Sequence, residues 1–73
     1  MDVNLLRYHM KVRGDSHEAL ATHLGIAKST LYSKMGNKLS EFTQGEINKI
    51  VQRYELRPEE VMKIFFTPII LIK

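Results

Sequence analysis

Lys28, Ser29, Tyr32 and Ser33 recur at spacings that hold all four off the side of a helix marked by Leu31 and Met35. Such side chains suit the edges of base pairs. A lysine donates to guanine O6 or N7, serine hydroxyls bond several bases or a phosphate, and a tyrosine packs on a sugar or thymine while its hydroxyl reaches a phosphate. Ala27, just before them, offers a methyl to the thymine methyl. Base reading is therefore assigned to Ala27, Lys28, Ser29, Tyr32 and Ser33. Tyr32 also admits a plainer reading as an aromatic covering the molecular surface, and Thr30 is expected to pack against the preceding helix.

Phosphate capture needs backbone N–H groups and short polar side chains at the start of a helix, where the dipole favours an anion. Ser16 and His17 occupy one predicted start, and Thr43 and Gln44 another. Ser16 and Thr43 would cap their own helices whether or not a phosphate is bound. Charge points the same way. The formal net charge is only +3, but no Asp or Glu occurs from Ala19 to Ser40, where Lys28, Lys34 and Lys38 all lie; elsewhere the charges cancel. A local positive field attracts phosphate more effectively than a high overall charge spread evenly.

Other chemistries find less footing. His9, His17 and His23 lack the spacing of a zinc site and the chain has no cysteine, so neither a metal nor a disulfide is expected. No nucleophile, base and orienting acid assemble, no glycine-rich phosphate loop is present, and an enzyme or a cofactor is not expected. With 73 residues the chain makes one small domain with a modest core. No apolar run reaches the roughly 20 residues that span a bilayer and no signal peptide is apparent, so a cytoplasmic location without a membrane partner is expected.

Five helical patterns must position these groups. Val3 to Val12 carries Leu5, Leu6, His9 and Val12 on or near one face and ends at Gly14. Asp15 or Ser16 then caps a second helix with Ala19, Leu20 and Leu24 at core spacing, and Glu18 would complete the cap. Gly25 tolerates the positive φ of a sharp turn, and Ile26 plugs the corner. The third helix begins at Ala27 without a side-chain cap and buries Leu31 and Met35. Leu39 and Phe42 anchor the loop that follows. Thr43, with Glu46, opens a fourth helix on Ile47, Ile50, Val51 and Tyr54; Pro58, Glu59 and Glu60 open a fifth on Val61, Ile64 and Phe65.

The run Ser16-His17-Glu18-Ala19-Leu20-Ala21-Thr22-His23-Leu24-Gly25-Ile26, followed by Lys28-Ser29-Thr30-Leu31, resembles the lambda-repressor-like (Xre/Cro/CI) helix-turn-helix family. The likeness extends over roughly Leu5 to Phe66. Ala21, Gly25, Ile26 and Leu31 match its diagnostic positions. Ala27 departs from the usual Ser or Thr, and Lys34 from an apolar residue whose place Met35 takes. The resemblance implies an all-α, compact five-helix bundle over residues 1–66 and places Asn37 and Lys38 along the phosphate backbone. It further implies a sequence-specific transcriptional regulator of the phage or prophage Cro/CI type. Its partners would be double-stranded DNA, read at a two-fold symmetric operator, and a second copy of the chain; no small-molecule substrate is implied. An antitoxin or restriction-modification controller that represses its own operon fits the same residues. So, from another class, does a protein-interaction module, although an acid-free basic face counts against it.

The tail, residues 67–73, stands apart. After Pro68 come Ile69, Ile70, Leu71 and Ile72, an apolar extension that needs cover. Folding back onto the core, pairing with a second subunit, and truncation of a longer repressor all remain open.

Overall fold

Each helix in the chain begins or ends where the side chains dictate. The computed structural model describes residues 2–36 and 41–66, and over these the chain is all-helical: α1 (Val3–Val12), α2 (His17–Leu24), α3 (Lys28–Gly36), α4 (Gln44–Tyr54) and α5 (Pro58–Phe65). The helical bounds agree with those expected from hydrophobic spacing. Asn37, Lys38, Leu39 and the tail 67–73 lie outside the described residues.

Two glycines set the first corners. At the end of α1, Gly14 has φ 67°, its N–H donates to the Lys11 carbonyl at 3.1 Å, and Asp15 N–H reaches back to Met10 at 2.8 Å. The end of α2 repeats this pattern: Gly25 has φ 75°, donates to Thr22 at 3.1 Å, and Ile26 N–H reaches Ala21 at 3.0 Å. Both are Schellman closures, which satisfy the last carbonyls of a helix and turn the chain sharply. The end of α4 does the same without glycine. There Glu55 sits at φ 52° and ψ 50° while Leu56 N–H bonds the Val51 carbonyl at 3.0 Å, a left-handed conformation that costs an L-residue about 1–2 kcal/mol.

The core is one cluster. Leu6 and Met10 from α1, Leu20, Ala21 and Leu24 from α2, and Leu31 and Met35 from α3 meet Ile50, Tyr54, Leu56 and Ile64, with Phe42 closing the loop side. Phe42 meets Phe65 edge to face at 5.8 Å. Ile26 is half-buried against this cluster, as a corner plug should be. One expectation needs correction: Val12 is 60% exposed, and the inner face of α1 is instead Leu6 and Met10 with Val3 and Leu5 beside them. Met10 is one turn beyond Leu6, whereas Val12 lies well round the helix from it.

Of the two residues that could cap α2, Ser16 does so, its Oγ accepting from Ala19 N–H at 3.0 Å, and Asp15 does not. Asp15 turns inward and accepts both Arg53 Nε at 2.7 Å and Nη2 at 2.8 Å, together with the Tyr54 hydroxyl at 2.6 Å. Its side chain is 9% exposed. The Arg53 guanidinium, despite opposing burial, and the Tyr54 hydroxyl hold the Asp15 carboxyl below its usual 3.8, while burial and the neighbouring carboxylate push Tyr54 up. Arg13 Nη2 closes the corner by donating to the Tyr54 carbonyl at 2.9 Å.

Replacement of Asp15 by Asn is expected to cost about 2 kcal/mol near neutral pH, because Arg53 and Tyr54 lose a charged acceptor. A carboxyl with a lowered folded pKa stabilises above its unfolded value and loses that stability as pH falls through the folded one. Urea unfolding should therefore show the wild-type and Asp15→Asn stabilities converging below pH 3.8. Glu55→Gly is expected to gain about 0.5 kcal/mol, since relief of the left-handed strain outweighs the added chain entropy and an exposed 3.8 Å pair with Arg13. A lower thermal midpoint for Glu55→Gly would contradict this.

Candidate nucleic-acid interface

At 100° per residue, burial of Leu31 and Met35 leaves an arc of α3 facing solvent. Ser29 and Ser33, one turn apart, hold its centre. Lys28 and Tyr32, also one turn apart, form one edge, and Thr30 the other; all five are exposed. Thr30 was expected to pack against α2 and does not, because its position lies well round the helix from Leu31. Ala27 is exposed as well, and its carbonyl accepts Leu31 N–H at 3.0 Å, so it takes the capping position with no side-chain acceptor to offer.

The helix is aimed from both ends. At its start, the Gly25 turn fixes the angle to α2, the helix on which α3 packs most closely. Near its end, Lys34 Nζ donates to the Glu41 carbonyl at 3.0 Å and pairs with Glu46 Oε1 at 3.2 Å. Glu46 Oε1 also accepts Thr43 N–H at 2.9 Å, while Thr43 Oγ1 accepts Glu46 N–H at 3.1 Å, a reciprocal cap on α4. Burial opposes ionisation of Glu46, yet the Thr43 N–H and Lys34 together hold its carboxyl below the usual range. Thr43, beside the exposed Gln44, is thus tied to the last turn of α3 through one carboxylate.

That tie corrects the charge reading. Lys34 is half-buried with a side-chain exposure of 14%, and its charge is answered by Glu46, a residue outside the acid-free stretch in sequence but beside it in space. Of the described lysines in that stretch, Lys28 alone stands exposed without a partner.

At the start of α2, His17 and Tyr32 come together, their rings stacked with centroids 4.6 Å apart and 16° between planes. This contact bears on two roles. Tyr32 remains 47% exposed, so it both covers the surface and presents an edge outward. His17 Nε2 is buried with no hydrogen-bond partner. Burial, then the charges of Arg7 and Lys28, press the imidazole below its usual 6.5. Ser16 at the same helix start spends its hydroxyl on the cap. Asn37 and Lys38, the remaining phosphate candidates, lie outside the described residues.

Sequence reasoning did not anticipate that the His17 ring would be stacked on Tyr32 or that the charge of Arg7, an exposed residue of α1, would reach it, because both depend on contacts between helices. Among the described residues no cluster of three or more His, Asp or Glu could hold a metal ion, and no helix is long and apolar enough to cross a membrane. Comparison with known proteins finds no matching family model, no matching curated protein and no matching solved structure.

A histidine whose folded pKa is lowered favours folding above its unfolded value and withdraws that support as pH falls from about 6.5 through the folded value. Wild-type stability should therefore drop between pH 7 and pH 5 by more than that of His17→Phe, which keeps a ring against Tyr32. NMR titration of the His17 ring should give a midpoint below 6.5 that rises in Lys28→Ala. A midpoint unmoved by that substitution would remove Lys28 from the neighbourhood of the ring.

Proposed function

We propose that this protein is a sequence-specific DNA-binding transcriptional regulator whose α3 enters the major groove, in the manner of the Cro/CI-type repressors that its sequence resembles. One observation carries the reading: a short helix, locked to its predecessor by a left-handed glycine turn, presents an outward arc of Lys28, Ser29, Thr30, Tyr32 and Ser33 without a carboxylate on it. A groove about 12 Å wide admits such a helix, and side chains near its start meet base edges.

Lys28 and Ser29 lie at that start and take the base contacts, with Ala27 against a thymine methyl and Ser33 a turn further on. Tyr32, backed by His17, reaches the sugar-phosphate edge. Ser16, His17, Thr43 and Gln44 stand at the starts of α2 and α4, where N–H groups and dipole favour phosphate. No acid–base chemistry is required. Occupation of the operator excludes polymerase, and two copies on half-sites about one helical turn apart supply the discrimination that one short helix lacks.

Selection from a random duplex pool at about physiological salt, with solution mass recorded, tests this directly. An enriched two-fold symmetric site is the expected result; an absence of enrichment would move the weight to a partner-binding module. Lys28→Ala is expected to weaken the selected site by about 1–3 kcal/mol and relax preference at one base position. Equal losses on selected and random duplexes would overturn the base-reading role of Lys28.

A further inference from the structure

We propose that residues 67–73 turn back along the outer face of α5 and cover Met62 and Phe66 of the same chain, whatever α3 binds. The helix is apolar on two opposite sides. Ile64 is buried in the core, while Met62, two residues before it, and Phe66, two residues after it, stand 57% and 53% exposed. Two residues are about 200° of helical rotation, so both lie diametrically away from Ile64, where a surface helix carries polar side chains. Val61 and Phe65 join the two sides, half-buried against the core. Phe66 meets Phe65 edge to face at 6.5 Å and Phe65 meets Phe42, so an aromatic run leads from the core out to the uncovered face. A helix that is apolar all round is one built to be buried all round.

The chain itself supplies the cover. Phe66 closes α5 at φ −126° and ψ 27°, and Pro68 disfavours a further helical turn, so the backbone must leave the helix axis here. Ile69, Ile70, Leu71 and Ile72 follow, tethered at the edge of the face. Extended at about 3.3 Å per residue they span about 10 Å, the same length as α5 from Phe66 back to Glu59 at about 1.5 Å per residue. Alternate residues of such a segment stand about 6.6 Å apart, against about 6 Å between Met62 and Phe66, so every second side chain meets one of the pair. Lys73 then arrives beside Glu59, in the acidic first turn of α5. A second copy of the chain fits less well. Two half-exposed side chains of about 200 Å² each offer on the order of 200 Å², whereas a stable interface takes about 800 Å² from each partner.

Nuclear Overhauser contacts in the full chain with labelled methyl groups test this. They are expected between side chains of residues 69–72 and the Met62 methyl or the Phe66 ring. A mixture of labelled and unlabelled chains, filtered for contacts between the two, should show none of them. Met62→Lys should lower the thermal midpoint by about 4 °C more than Val12→Lys, which alters a similarly exposed apolar residue of α1. Absence of the contacts overturns the inference, as does their appearance in the filtered mixture, which would give the face to a second copy. Equal midpoints for the two variants overturn it as well.

Discussion

A carboxylate with most of its surface removed from water must have its oxygens answered, and Asp15 is answered from a helix distant in sequence. Arg53 and the Tyr54 hydroxyl reach it from the last turn of α4, so the corner between α1 and α2 is fastened to the corner between α4 and α5. Arg13 adds a second strap to the Tyr54 carbonyl. Hydrophobic burial is non-directional and would tolerate several rotations of these helices; a two-pronged guanidinium pair with a hydroxyl on the same carboxylate tolerates few. The orientation of α2 follows from that fastening, and α3 follows from α2 through the Gly25 turn.

The candidate interface is thus a product of positions well behind it. Leu31 and Met35 decide which arc of α3 faces outward, Gly25 decides the tilt, and Lys34 with Glu46 holds the far end to the cap of α4. The stacked His17 and Tyr32 join the first turn of α2 to the edge of the same arc. Helix starts that suit phosphate are consequently held at set distances from the side chains proposed to read bases, and little reorganisation is left for binding to impose.

Much of this was legible in the sequence, for particular reasons. Helical spacing, the glycine turns, the Thr43 and Glu46 cap and Pro58 at the start of α5 are local signals, and local signals survive without knowledge of the partner helix. What escaped depends on contacts across the chain. Asp15 resembles a cap residue until Arg53 is seen opposite it, and Lys34 resembles a free cation until Glu46 is. Val12 fits an apolar stripe by residue type but not by angle. Glu55 ends α4 in a conformation that sequence reading reserves for Gly or Asn, so nothing local announced it. Of the candidate site, the polar arc was legible, while the coupling of His17 to Tyr32 was not.

Lys34 has one consequence that reaches beyond recognition. By bonding the Glu41 carbonyl and the Glu46 carboxylate together, it staples the exit of α3 to the entrance of α4. The register between these two helices is therefore held by side-chain chemistry as well as by the covalent path, so a rotation of α4 is passed directly to the exit of α3 and a disturbance in either helix is shared by both.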